Sequence, residues 1–305
     1  MKPRIAISIG DLNGVGIEIA LKSHTEISKI CTPVYCINPT LLLMACKLLG
    51  IEVPNDIELS DVAGEFPITP SKVDVASGQY SFDSFLHAIE LAKNKQVDAI
   101  VTLPIHKEAW MKAGIDFKGH TDYLRFAFDK EAIMMLGCKK MFVALYTEHI
   151  PLRDVAKQIE TQRLLRFFLD FHSSIGDNKV AVLGLNPHAG DNGVLGDEER
   201  VIEEAITLAN AKIGKEIFIG AIVPDVAFTP RFRENFTYFI AMYHDQGLAP
   251  LKALYFDESV NISLNLPIIR TSVDHGTAFD IAYKHKANTL SYKNAVESAI
   301  SLIKN

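Results

Sequence analysis

Apolar positions along the chain follow two rhythms. Short runs of apolar and β-branched residues at 5–9, 34–37, 99–103, 142–146, 180–185, 218–223 and 239–243 have the length and make-up of buried strands. Between them, apolar residues recur at helical spacing over 16–22, 39–49, 81–93, 161–171, 197–211 and 295–303, which predicts six helices. Strands that alternate with helices argue for an α/β protein with a mainly parallel or mixed sheet. The helix at 197–211 opens on Asp197, Glu198 and Glu199, where carboxylates complement the positive end of the helix dipole, so that acidity reads as structural. No Pro/Gly/Ser-rich linker and no repeat of fixed period divides the chain.

A length of 305 residues suffices for two lobes or one large domain, and length alone does not choose between them. The net charge of -6, without Lys/Arg runs, provides no basic field, so a nucleic-acid surface is not expected and an anionic ligand would need local groups. Cysteines 31, 36, 46 and 138 lack CxxC spacing, which argues against a cysteine zinc site and for buried thiols in a reducing, cytoplasmic compartment. Lys2 and Arg4 precede an apolar run too short for a signal-peptide core, and it reads as a first strand. The other apolar runs are too short to span a bilayer, so no membrane association is expected.

Candidate chemistry gathers at strand ends. Of ten histidines, His149, His188 and His244 each follow a predicted strand directly, and ligands of open α/β sheets bind beyond the carboxyl ends of strands. Three imidazoles delivered there could share one metal and leave positions open for substrate oxygens. Read from the residues alone, metal ligation and ordinary loop hydrogen bonding stand level. Asp225 lies near the end of a fourth strand. The glycine-rich segment 184–196 reads as a binding loop or as a long turn before a capped helix. Arg270 follows the apolar run 266–269, which suits a ligand contact or a buried ion pair better than a surface charge. The turn 10–16 between first strand and first helix could face an anion, although it is neither GxGxxG nor a Walker loop.

Gly10-Asp11, Gly119-His-Thr121, Asn186-Pro-His-Ala-Gly190, Met242-Tyr-His-Asp-Gln-Gly-Leu248 and Arg270-Thr-Ser-Val-Asp-His-Gly-Thr-Ala-Phe-Asp280 occur in order over nearly the whole chain. With these motifs the sequence resembles the 4-hydroxythreonine-4-phosphate dehydrogenase family of pyridoxal phosphate biosynthesis. The resemblance implies two α/β lobes around a cleft, similar to the isocitrate and isopropylmalate dehydrogenases rather than a Rossmann domain, with 1–126 and 266–305 in one lobe and 127–265 in the other. It implies His149, His188 and His244 as ligands of one divalent ion (zinc, magnesium or cobalt). His120, Thr121, Lys252, Asn261 and Arg270 then match substrate-binding positions. Asn186, His275, Gly276, Thr277 and Asp280 match cofactor positions, the last four in a run similar to the adenosine-binding loop of those dehydrogenases.

The implied reaction is NAD(P)-dependent oxidation of 4-phosphohydroxy-L-threonine to 2-amino-3-oxo-4-phosphooxybutanoate, then decarboxylation to 3-amino-2-oxopropyl phosphate, with Asp225 and Lys252 as candidate catalytic groups. The product would pass to pyridoxine 5'-phosphate synthase. A homodimer with its sites at the subunit interface is implied as well. The alternatives are a dehydrogenase of another phosphorylated four-carbon acid such as 4-phospho-threonate, a histidine–metal hydrolase or aldolase that binds no nicotinamide, and a non-catalytic phospho-ligand-binding protein. Five positions depart from the family's usual pattern: Leu12-Asn13 for Pro-Ala, Asp122 for Glu, Val226 for Thr and Tyr283 for Gly.

Overall fold

The computed structural model describes residues 2–304. In chain order its strands are β1 (Arg4–Ser8), β2 (Thr32–Cys36), β3 (Glu58–Ser60), β4 (Ala99–Thr102), β5 (Ile133–Cys138), β6 (Met141–Leu145), β7 (Val180–Leu183), β8 (Phe218–Ile222), β9 (Tyr238–Ala241), β10 (Val260–Leu264) and β11 (Arg270–Val273). The chain divides into two compact units, 1–131 with 260–305, and 132–259.

In the first unit the strand order is β3-β2-β1-β4-β11-β10, parallel except for the antiparallel pair β10–β11. Strand β4 and, after its first residue, β1 are buried throughout, as expected of parallel strands covered on both faces. Helices Gly16–Ile27, Val75–Lys93 and Leu290–Ile303 pack on this sheet, and Trp110, Tyr35, Tyr292 and Phe85 are its largest fully buried side chains. In the second unit the order is β5-β6-β9-β7-β8, with only β5–β6 antiparallel. Val143, Leu145, Leu183 and Phe239 form its core with Leu248 and Leu251.

The α/β expectation is met, and all seven strands read from the apolar runs are present. The structure adds four further strands, β3, β5, β10 and β11, of which β5 (Ile133–Cys138) is itself a fully buried apolar run. In β10 and β11 the strand pattern is masked: Asn261, Ser263, Arg270, Thr271 and Ser272 break the apolar run although Ser263, Arg270, Thr271 and Ser272 are buried. The helix His244–Tyr255 is masked in the sequence as well, because Gly247 and Pro250 lie inside it. The helix expected at 81–93 starts earlier, at Val75, where the Asp74 side chain accepts from Ser77 N at 3.0 Å. All four cysteines are free and buried. Among the described residues no helix is long and apolar enough to cross a membrane.

Candidate active site

In the second unit, β6, β9 and β7 lie side by side, and each runs at its carboxyl end into one of the three singled-out histidines. His149 and His188 are exposed and His244 is half-buried. The rings of His149 and His244 have centroids 5.5 Å apart. Two imidazoles on one tetrahedral ion, with nitrogen–metal bonds of about 2.1 Å, place their centroids roughly 5 Å apart, so this pair fits a shared ion. His244 Nδ1 lies 2.7 Å from Asp245 Oδ1, an arrangement that would leave Nε2 as the ring nitrogen for a ligand.

His188 begins a different feature. Residues His188, Ala189, Gly190, Asp191 and Asn192 all have φ between 43° and 74°, a run of left-handed backbone. Each non-glycine residue there costs about 1–2 kcal/mol, so the loop must be held from outside. Glu199 does this: its buried carboxylate accepts from Leu185 N at 2.8 Å, Asn186 N at 2.7 Å and Asn186 Nδ2 at 3.0 Å. A Cβ on Gly190 would lie 2.6 Å from Glu199 Oε2, so glycine is required there both by φ and by contact. The acidic helix start thus serves as an anchor for the loop. Asn186 also donates to Glu198 Oε2 at 2.7 Å, which uses its amide hydrogens on the two glutamates.

Among the described residues no group of three histidine, cysteine, aspartate or glutamate side chains is gathered closely enough to hold a metal ion. The His149–His244 pair is assembled, and His188 does not join it as a third ligand in this structure. Asp225 is exposed on the first turn of the short helix Pro224–Ala227, which packs on the His188 loop. Lys252 is half-buried in the last turn of His244–Tyr255, with Nζ 5.2 Å from the Phe256 ring centroid.

In the first unit, Arg270 lies opposite Ser263 across β10–β11, and Asn261 lies opposite Ser272. Paired residues share a face, so these four side chains form one polar face, joined by Thr102 of β4, which pairs with Ser272. Arg270 is 2% exposed and donates to Ser263 Oγ at 3.1 Å and Thr102 Oγ1 at 2.7 Å. No carboxylate of the described residues pairs with it, and burial pulls its pKa from 12.5 to about 9. It therefore stays charged at neutral pH, and its Nε and Asn261 Oδ1 are buried without a hydrogen-bond partner. An arginine so placed lacks an anion.

The helix His120–Phe128 brings its N-terminus to this face, with Thr121 Oγ1 3.5 Å from Ser263 Oγ. Exposed backbone N–H groups at a helix start favour anions. His120 is wedged against Phe85 and Trp110, with centroids 4.6 and 5.5 Å away, and its Nε2 has no partner. Burial, and then the charge of Arg270, holds its pKa well below the ordinary value, so the ring is neutral. Asp122, one of the departures, accepts from Lys118 N at 3.0 Å and closes the turn before the helix.

The run 274–283 is tied to the first turn of the chain. Val15 N donates to Thr277 O at 3.0 Å, Ser71 Oγ to Phe279 O, and Tyr283 OH to Leu12 O at 2.7 Å. Asn13 holds residues 69–72 through Thr69 N at 2.8 Å and Lys72 O at 3.0 Å. Leu12, Asn13 and Tyr283, three of the departures, therefore belong to one bonded cluster. His275 Nδ1 is 2.9 Å from Gly276 O, Thr277 is buried, and Gly276 and Asp280 are exposed. Asp11 is buried beneath this loop, and burial raises its pKa despite bonds from Ser77 and Asn13.

Sequence reasoning passed over Thr102, Ser263 and Thr147, met Gln246 only as an amide within its motif, and read Glu199 only as a structural helix-start carboxylate. For Ser263 a signal existed, since it lies two residues from Asn261 and shares its face of a strand. The others act through contacts between segments far apart in the chain.

The comparisons with known proteins agree with one another. The chain is 66% identical over 301 residues to the 4-hydroxythreonine-4-phosphate dehydrogenase of Sulfurimonas denitrificans, covering 99% of this chain and 98% of that protein. It is 55% identical over 301 residues to the enzyme of the same name from Campylobacter fetus, covering 98% of each. The crystal structure of the 4-hydroxythreonine-4-phosphate dehydrogenase of Klebsiella pneumoniae superposes with a TM-score of 0.86 at 32% identity, over 99% of this chain and all of that one. The family model described as pyridoxal phosphate biosynthetic protein PdxA matches residues 29–299, and the chain belongs to that family.

Proposed function

We propose that this chain is a metal-dependent, NAD(P)-linked dehydrogenase that oxidises 4-phosphohydroxy-L-threonine to 2-amino-3-oxo-4-phosphooxybutanoate and then promotes its decarboxylation to 3-amino-2-oxopropyl phosphate. The observation that carries the substrate class is Arg270: a buried, charged guanidinium with no carboxylate partner among the described residues, flanked by hydroxyls and a helix N-terminus. In a family whose named relatives act on a phosphorylated hydroxy-amino acid, a phosphate is the anion that suits it.

In this reading Arg270, Thr121 and Ser263 hold the substrate's phosphate, and Asn261 and neutral His120 orient its polar groups. Lys252 adds a second positive charge for an acidic group. The 275–280 loop, held by the first turn, receives the adenosine end of the nicotinamide cofactor. His149, His188 and His244 hold the divalent ion, with His188 completing the set as its loop settles on binding. A bound ion supplies Lewis acidity that lowers the pKa of the substrate hydroxyl and steadies the negative charge developed when CO2 leaves. Asp225 takes up or relays the hydroxyl proton. The protein works as a cytoplasmic homodimer, a reading supported by its free thiols and by exposed Ile150, Leu152, Val194 and Phe256 on the second unit. Its product goes to pyridoxine 5'-phosphate synthase.

The test is NADH formation and CO2 release from 4-phosphohydroxy-L-threonine, with 4-phospho-threonate as competitor, before and after chelation. Turnover of the amino substrate, lost on chelation and restored by one divalent ion per chain, is expected. Faster turnover of 4-phospho-threonate would reassign the substrate. Full activity of a metal-stripped enzyme, or of His188→Ala, would overturn the metal assignment.

A further inference from the structure

Parallel strands that part at their carboxyl ends open a crevice but strand backbone N–H and C=O groups that a continued ladder would pair. Strand β9 faces this situation. On its β6 side pairing continues, as Tyr146 N donates to Ala241 O at 2.9 Å and Thr147 N to Met242 O at 3.2 Å. On its β7 side the last registered pair is Val182 opposite Ile240, and two residues further Gly184 would face Met242. There the carboxamide of Gln246 intervenes: Met242 N donates to Gln246 Oε1 at 2.7 Å, and Gln246 Nε2 donates to Gly184 O at 2.7 Å. The side chain stands in for a ladder peptide. Only an amide offers an acceptor and a donor in one plane, since a glutamate would set an oxygen against Gly184 O.

The Met242 peptide is thereby held on both sides, because Thr147 Oγ1 also donates to Met242 O at 2.6 Å. Thr147 lies two residues before His149, Gln246 two after His244, and Gly184 four before His188. Gln246 reaches its place because the helix it opens lies hard against the sheet: a Cβ on Gly247 would come within 2.4 Å of Val143 Cγ1 and 2.9 Å of Ala241 Cβ.

We infer that Gln246 is a positioning residue, whose carboxamide splices β9 to β7 and, with Thr147, fixes the ends that carry His149, His188 and His244 as one frame. The inference rests on the metal reading given above. Groups that orient metal ligands without touching the ion typically change affinity by about 10–100-fold when removed.

The experiment is titration of the metal-free full chain with Co2+, read by its ligand-field absorption, on wild type, Gln246→Met and Gln246→Glu. Methionine removes both bonds at similar volume, and glutamate keeps the acceptor for Met242 N. Hydrogen exchange of segments 184–192 and 242–246 is followed in the same metal-free samples. Cobalt affinity is expected to fall about 10-fold or more in Gln246→Met and less in Gln246→Glu, with altered band intensities and faster exchange confined to those segments. If Gln246→Met melts below the assay temperature, Gln246→Glu carries the comparison. Wild-type affinity, spectrum and exchange in the variants would overturn the frame while leaving the metal reading intact. A wild-type chain that binds no Co2+ would overturn the metal reading, and the frame with it.

Discussion

Replacing Arg270 by methionine separates a ligand-binding arginine from a structural one. A fall in pKa from 12.5 to about 9 corresponds to roughly 5 kcal/mol spent keeping the charge in the interior. Against this stand two hydrogen bonds from the guanidinium, to Ser263 and Thr102, worth about 1.5–3 kcal/mol each. The two terms nearly cancel, so Arg270→Met is expected to change the free energy of unfolding by less than about 2 kcal/mol. Phosphate binding responds differently. Loss of the charged donors should weaken inorganic phosphate about 100-fold. At a phosphate concentration 100 times the wild-type Kd, urea unfolding should show about 2.7 kcal/mol of stabilisation in the wild type and only about 0.4 kcal/mol in the variant. A variant destabilised by more than about 4 kcal/mol, yet stabilised by phosphate as much as the wild type, would show Arg270 to be a structural group and refute the reasoning.

Gly247→Ala should cost about 1–3 kcal/mol in urea unfolding, because its methyl would meet Val143 Cγ1 and Ala241 Cβ. Adding Val143→Ala should recover part of that loss, and an additive double variant would count against the contact. His120 is neutral in the folded chain and titrates at about 6.5 when unfolded, so below that pH the unfolded state binds the extra proton. Stability of the ligand-free protein should be full above about pH 6.5 and decline as the pH falls. His120→Leu should flatten that decline in thermal melts taken across the range, and an unchanged slope would remove His120 as its source.

Local pattern made much of the molecule legible. Runs such as 5–9 and 180–185 announce themselves as strands because both their faces are buried, so nearly every position is apolar, Ser8 excepted, and no partner is needed to read them. The same rule hid β10 and β11, where residues such as Ser263 and Arg270 put polar groups into a buried face. The helix His244–Tyr255 was hidden by Gly247 and Pro250, one demanded by close approach to β6 and β9, the other sitting where a local rule reads a break.

The sequence by itself determined the α/β class, the free cysteines and, through the order of its motifs, the family. It also singled out three histidines by position at strand ends. Tertiary structure decided what those residues can do. It drew His149 and His244 together, left His188 on a left-handed loop held by Glu199, and buried Arg270 without a counter-ion among the described residues. It also gave Gln246 a place between two strands that chain neighbours could not reveal. The physical reason is one of range: strand and helix preferences are set by neighbours a few residues apart, whereas charge pairing, burial and the closing of a ladder depend on partners brought together only by the fold.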